Sequence, residues 1–335
     1  MNFLRNQLDK VKHSFEKGGK LEKYYYAYEA LDTFLFAPNT TNDSKGVQIR
    51  DAIDLKRLMM TVIVAMVPCL LFGIWNVGHQ HFLAIGQAGA TLGDKILVGA
   101  IQVLPIVVVS YGVGLGIEFV FAILRKHPVN EGFLVTGMLI PLVMPPDIPL
   151  WQVGVATAFA VVIGKEAFGG TGMNVVNIAL TARAFLYFAY PTDISGGVWT
   201  YLGDSQAVAG YSGATALSIA GDSVTAGTNV LSSFSSFGAG WNEGVFSFSN
   251  LFLGLIPGSI GETSTLMCLI GAFILIATGA GSWKIIVSVF GGAYAMGLLL
   301  NLLGGNAYME MPAQYHLVIG GLAFGAVFMA TDPVT

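Results

Sequence analysis

The chain has 335 residues, of which 54% are hydrophobic and 11% charged, and its formal net charge is −4. Soluble domains carry about a quarter charged residues. This balance, with apolar runs of about 20 residues, excludes an ordinary soluble enzyme and reads as an all-α integral membrane protein. Cys69 and Cys268 both lie in apolar runs. They read as buried small hydrophobes, not as a disulfide framework or an iron–sulfur site.

Residues 1–57 hold 10 of the 16 Lys and Arg residues, which predicts a cytoplasmic N-terminal arm by the positive-inside rule. The arm is polar and charged, with no cleavable leader pattern, so the first span directs insertion. It carries Phe15-Glu16-Lys17-Gly18-Gly19-Lys20, then Tyr24-Tyr25-Tyr26, Tyr28 and Phe34-Leu35-Phe36. Aromatics interleaved with lysines fit an amphipathic arm at the lipid head groups; the sharper alternative is an arm that also closes over a quinone site. The first span is predicted at 58–77, with Asp54, Lys56 and Arg57 at its inner end. An outer loop follows at 78–94, and then a second span at 96–124, kinked at Pro105 and ended by Arg125-Lys126-His127. His79 and His81 fall in the predicted outer loop and read as solvated side chains, not metal ligands.

Residues 133–150 contain Pro141, Pro145, Pro146 and Pro149. So many prolines forbid one regular helix, and broken backbone at membrane depth is tolerated only against protein or a cavity. The segment reads as a discontinuous helix near a functional centre, or as a span followed by a proline-rich outer turn. A fourth span is predicted at 151–168, ending at Lys165 and Glu166. Gly169-Gly170-Thr171-Gly172-Met173-Asn174-Val175-Val176-Asn177 leads into a fifth at 179–190. Asn174 and Asn177, three apart, would share a helix face, either as amides facing a heterocycle or as glue between helices. Arg183 is expected to face the cytoplasm or to be paired, since charge in lipid is costly.

Residues 191–261 are rich in Gly, Ser, Thr and Ala and contain no Lys or Arg, which places them outside. A segment this long is functional or disordered. Within it runs Gly210-Tyr211-Ser212-Gly213-Ala214-Thr215-Ala216-Leu217-Ser218. On composition this is a loop or a helix start with Ser212 or Thr215 as N-cap. Further spans are predicted at 264–282, 285–303 and 315–330, about eight in all. Thr331-Asp332-Pro333 echoes Pro146-Asp147-Ile148 in register with a preceding Met. The echo suggests inverted five-span repeats with broken central helices, the second half lacking its last two spans. The predicted organisation is thus an arm (1–57), a first membrane repeat (58–190), an outer loop (191–261) and a second, truncated repeat (262–335).

Ser212-Gly213-Ala214-Thr215 after five hydrophobic segments resembles the flavin-attachment site of NqrB, a membrane component of the Na+-translocating NADH:quinone oxidoreductase, and of its relative RnfD in the Rnf complex. The likeness is collinear over nearly the whole chain. It includes Phe15–Lys20, Asp54-Leu55-Lys56-Arg57, Arg125-Lys126-His127, Val129-Asn130-Glu131-Gly132-Phe133, Lys165-Glu166-Ala167-Phe168-Gly169-Gly170-Thr171-Gly172, Arg183-Ala184-Phe185, Pro257-Gly258-Ser259-Ile260-Gly261-Glu262 and Ala330–Val334. The long arm favours the NqrB branch. The resemblance implies FMN joined to Thr215 by a phosphoester, with Ser212, Gly213 and Ala214 forming its loop. It also implies non-covalent riboflavin at Asn174 and Asn177, and a quinone region at Gly114 and Glu118. Its departures are Ala209 for an acidic residue, Met173 and Ile178 for an Arg and a Pro, and Leu115 for a Gly.

The implied setting is a bacterial inner-membrane complex. Its other members include an outer-face flavin subunit and an NADH-oxidising subunit, it couples quinone reduction to Na+ export, and a flavin transferase matures it. Asp147 and Asp332 stand as cation-path candidates or half-helix caps. A urea- or ammonium-type channel without redox cofactor is the alternative reading. Nothing in the pattern suggests a metal site, paired catalytic carboxylates, a nucleophilic triad or nucleic-acid binding.

Overall fold

A computed structural model describes residues 2–16, 18–36, 47, 54–126, 128–129 and 132–332. Lys17, His127, Asn130, Glu131, Pro333 and Val334, all in motifs above, lie outside them. The described residues are helical and contain no strand. Among them, four helices are long and apolar enough to cross a membrane: Leu55–Ala84, Leu92–Arg125, Leu150–Phe168 and Trp283–Leu303. Three shorter apolar helices accompany them, Gly132–Leu142, Ile178–Ala189 and Thr265–Thr278.

The arm forms two helices, α1 (Asn2–Phe15) and α2 (Tyr25–Leu35). Phe15 stacks on Tyr28 with centroids 5.2 Å apart, and Arg5 pairs with Asp32 at 3.0 Å. The arm is tied to the membrane helices by Lys56, which donates to Thr33, and by Arg57, which donates to the Thr33 carbonyl at 3.2 Å. α3 (Leu55–Ala84) starts there, capped by Asp54, whose side chain accepts from the Arg57 amide. Its far end meets the 191–261 segment, where Val208 N–H donates to the Ala84 carbonyl at 2.8 Å. The bundle therefore has an arm end and a loop end.

α3 runs seven residues past the predicted span, so the histidine prediction fails. His79 and His81 are inside the helix, His79 stacked on Trp75 at 4.9 Å and buried His81 bonded to the Tyr201 carbonyl at 2.9 Å. The extension is possible because the 191–261 segment covers it and supplies partners to its polar side chains. α4 (Leu92–Arg125) starts at Thr91, whose hydroxyl accepts from the Asp94 amide, and continues through Pro105. α3 and α4 approach closely: a Cβ on Gly99 would stand 1.7 Å from the Ile74 carbonyl oxygen.

α5 (Gly132–Leu142) stops in the proline-rich stretch, and α6 (Leu150–Gly164) resumes from Pro149. Val143 and Met144 between them are fully buried. Their backbone is not orphaned, because Gly261 N–H donates to the Leu142 carbonyl at 2.8 Å and Ile260 N–H to the Met144 carbonyl at 3.1 Å. Irregular backbone at this depth survives because a second irregular segment satisfies it. α7 (Ile178–Ala189) returns to the loop end.

The 191–261 segment is ordered. It holds α8 (Ala216–Ala226), α9 (Val230–Ser236) and α10 (Phe248–Leu253). Ala220, Val230, Phe234, Phe246 and Leu251 pack with Val318 and Ile319 from further along the chain as a second core. α11 (Thr265–Thr278) lies along α3, with the Cys69 and Cys268 thiols 3.9 Å apart. α12 (Trp283–Leu303) follows. The predicted span at 315–330 is not one helix. A 3-10 turn at Tyr315–Leu317 is separated from a helical turn at Leu322–Phe324 and a π turn at Gly325–Met329. Gly320 sits at φ +67 between them, a left-handed conformation that breaks a right-handed helix.

Candidate functional site

At the loop end, Thr215 is the N-cap of α8: its hydroxyl oxygen accepts from the Ser218 amide at 3.3 Å. Ser212 does not cap the helix; its oxygen accepts from the Ala214 amide at 3.3 Å. Gly213 lies against the Gly197 carbonyl so closely that a Cβ would stand 2.4 Å from that oxygen. The Tyr211 hydroxyl donates to Thr200 at 2.7 Å, and its ring packs on Trp241 with centroids 4.6 Å apart. Burial pushes the Tyr211 phenol up to about 12, so it stays a neutral donor. Ala214 is buried and Thr215 half-buried. A fixed loop thus delivers one hydroxyl to the start of an 11-residue helix, where first-turn amides and the helix dipole favour a phosphate. The donor set fits a phosphoester at that oxygen.

At the arm end, the shared face expected for Asn174 and Asn177 is not formed. Helix begins only at Ile178, with Asn177 as its N-cap accepting from the Leu180 amide at 3.1 Å. Asn174 bonds locally, accepting from Gly172 N–H at 3.3 Å and donating to the Val176 carbonyl at 3.2 Å. Such side-chain-to-backbone bonds compete with helix, and Gly172 at φ +83 turns the chain away from it. Asn174 does meet other polar groups. It lines a small cavity of about 10 Å³ with Thr136, Lys165, Thr171 and Asp332. Among the described residues the buried Thr171 hydroxyl has no hydrogen-bond partner. This space admits a water-sized occupant and no flavin ring. Beside it, Met173, Val175 and Val176 are exposed, an apolar surface flanking Asn174 in sequence.

Gly114 and Glu118 face the bundle interior. A Cβ on Gly114 would stand 1.8 Å from the Phe133 ring. Glu118 is buried in an ion pair with the equally buried Lys165. Neither lines the large cavity of about 1320 Å³ that opens one turn further along α4. That cavity lies between Ile123, Leu124 and Lys126 and the arm residues Phe15, Tyr25 and Tyr26. Asp147 is exposed in the turn before α6 and does not cap it, since the N-cap is Pro149 with no side-chain bond. Asp332 follows the π turn and borders the cavity shared with Asn174 and Lys165. The two acids lie towards opposite ends of the bundle. Arg183 is paired as expected, with Glu262 at 2.7 Å, and its guanidinium lies over Trp199.

The model described as the NQR2, RnfD, RnfE family matches residues 42–335. The chain belongs to that family. A protein named as the B component of the Na(+)-translocating NADH-quinone reductase from Stutzerimonas stutzeri (strain A1501) is 47% identical over 99% of this chain and 84% of its own length. Namesakes from Ectopseudomonas mendocina (strain ymp) and Azotobacter vinelandii (strain DJ / ATCC BAA-1303) are each 45% identical with the same coverage.

Two residues of this NQR2, RnfD, RnfE family member emerge only from the fold. Lys165 reads in sequence as a marker of a span's inner end, yet its ammonium is inside, between Glu118 and the Asn174 cavity. Glu262 reads as part of a motif, yet its carboxylate holds Arg183 midway along α7. An isolated Lys-Glu pair closing an apolar run was the one available signal for Lys165. For Glu262 there was none beyond the unmatched charge of Arg183.

Proposed function

We propose that this chain is the membrane electron-carrying subunit of a Na+-translocating NADH:quinone reductase, with FMN esterified to Thr215 and riboflavin held beside Asn174. One observation carries the reading. The single hydroxyl of the Ser-Gly-Ala-Thr string that caps a helix is Thr215, presented on a loop fixed by Gly213 and Tyr211. The names of the relatives support the complex to which it belongs. Bound flavins supply the one- and two-electron chemistry. The chain's own part is to hold them at the two ends of one bundle. Thr215 anchors one covalently, and Asn174 with Thr171 offers hydrogen bonds to the other. Arg183 and Glu262 place a fixed ion pair between the two ends.

Quinone is assigned to the cavity beneath the arm, reached from α4, not to a surface at Gly114 or Glu118. Asp332 is the better placed of the two acids for a cation path, because it borders a small cavity lined by Thr136, Lys165, Thr171 and Asn174. An outer flavin subunit is expected to donate electrons at the loop end, the NADH-oxidising subunit to feed it, and a flavin transferase to load Thr215. The loop end then faces outward and the arm inward in a bacterial inner membrane, consistent with the arm's basic charge.

The test is ultraviolet fluorescence of the denatured chain after co-expression with a flavin transferase. A fluorescent band is expected from the wild type and none from Thr215→Ala. Asparagine at position 215 preserves a cap and should fold like the wild type while remaining dark. A dark wild type, with the transferase active on another substrate, removes the proposal and favours a channel without redox cofactor.

A further inference from the structure

Arg183 on α7 and Glu262 before α11 pair at 2.7 Å, and two separate routes of contact connect this pair to the loop that carries Thr215. The first runs through Trp199. The Arg183 guanidinium lies over that ring, 5.6 Å from its centroid. Residues on both sides of Trp199 hold the loop: the Gly197 carbonyl lies against Gly213, and Thr200 accepts from the Tyr211 hydroxyl at 2.7 Å. The second route runs through the turn at Gly320 and Gly321. A Cβ on Gly320 would stand 2.6 Å from Cδ1 of Leu217, in the first turn of α8. A Cβ on Gly321 would stand 2.7 Å from Oε1 of Glu262. The loop and the ion pair therefore share two walls.

The guanidinium also has hydrogen bonds to give. Glu262 and Trp199 are buried, but the Arg183 side chain keeps 32% of its exposure. A guanidinium carries five N–H donors, and among the described residues Arg183 uses one, toward Glu262. A fixed cation with spare donors in one plane suits a planar ligand that offers oxygen and nitrogen acceptors and gains negative charge. A flavin ring is such a ligand, because reduction adds electrons to a ring edged with carbonyl oxygens and nitrogens. A ribityl phosphate on Thr215 is a long, flexible tether, and the shared walls keep the ion pair in the neighbourhood of its anchor.

We infer that Arg183 is a binding residue for the ring of the flavin esterified to Thr215, its charge favouring the reduced form, and that Glu262 is the positioning residue that holds the guanidinium over Trp199. This rests on the Thr215 reading and adds to it a residue that no motif joins to that string.

The test is a spectroelectrochemical titration of the full chain, co-expressed with a flavin transferase and purified in detergent. Thr215→Ala supplies the titration without covalent flavin, to be subtracted. Fluorescence of each denatured chain reports its loading. At an effective dielectric of about 20, one elementary charge acts on a ring about 10 Å away by roughly tenfold in the reduction equilibrium, which is about 59 mV for one electron. Arg183→Gln leaves the Glu262 charge alone and should lower the potential by that order. Glu262→Gln leaves the guanidinium charge alone and should raise it. Arg183→Gln/Glu262→Gln should fall between the two, and Arg183→Lys should stay closer to the wild type than Arg183→Gln. These last two variants and Glu262→Gln carry the comparison if Arg183→Gln does not fold. Loading should match the wild type throughout. A merely structural role does not produce shifts of opposite sign. Shifts of the same sign, or none, in fully loaded chains overturn the inference and leave the Thr215 reading standing. Lost loading with an unchanged potential in the flavin that remains also overturns it, placing Arg183 on the phosphate instead of the ring. A dark wild type overturns the Thr215 reading itself and this inference with it.

Discussion

The two ends of this bundle are held by different chemistry. At the arm end, side-chain charges do the fastening: Arg5 with Asp32, Arg57 with Asp54, Arg125 with Glu166 at 3.0 Å, and Lys165 with Glu118 inside the protein. The 191–261 segment at the loop end has no Lys or Arg with which to make such pairs. Its order comes from caps and rings: Thr215 and Asn229 start helices, and Tyr211, Trp241, Phe237 and Phe246 pack edge and face. Coulombic fastening strengthens as water is excluded, so among these pairs the buried Lys165–Glu118 pair is the strongest fastening. A polar segment without cations gains more from hydrogen bonds that satisfy backbone at helix starts.

The largest test of that contrast is Lys165→Met. It takes the ammonium away from a buried Glu118 carboxylate, and breaking one partner of a buried pair costs about 3–5 kcal/mol. Thermal unfolding in detergent should show a marked loss, and Lys165→Met/Glu118→Met should recover most of it. A single variant as stable as the wild type would mean that the pair does not fasten the arm end. Next in size is Gly114→Ala. Its new Cβ meets the Phe133 ring, and overpacking of this kind costs about 1–3 kcal/mol. Leu at position 133 should relieve it. If Gly114 acts through packing, quinone KM in membranes follows stability across these variants; a KM change that persists in the Gly114→Ala/Phe133→Leu double variant would put the quinone against Gly114 itself.

The loop end was the more legible of the two, and the reason lies in range. Thr215 and the amide it caps are three residues apart, and local spacing is what a sequence displays. The breaks at Pro141–Pro149 and the long apolar helices were legible for the same reason. Lys165 and Glu118 are 47 residues apart, and Arg183 and Glu262 are 79 apart, so neither pairing is written in any short motif. Asn174 and Asn177 misled because a spacing of three implies a shared face only on a helix, and the glycines before them prevent one. His79 and His81 misled because polar residues near a span's end look like loop until a covering segment, here Tyr201 at ring distance 5.5 Å from His81, turns up to receive them.

The smallest predicted effect probes whether the loop end has any charge dependence at all. His316 packs against Tyr308 beside the second core, with centroids 5.3 Å apart, and among the described residues its buried Nε2 has no hydrogen-bond partner. Burial holds its pKa below the usual 6.5, so the folded state resists a proton that the unfolded chain accepts. Stability from this residue is therefore complete above pH 6.5 and declines as pH falls through and below that value. His316→Phe should flatten the acid side of the loop end's hydrogen-exchange protection and leave the arm end's profile unchanged. Identical acid profiles at both ends, or no change at the loop end in the variant, would show that the two ends open as one unit and that their chemistries are not separable.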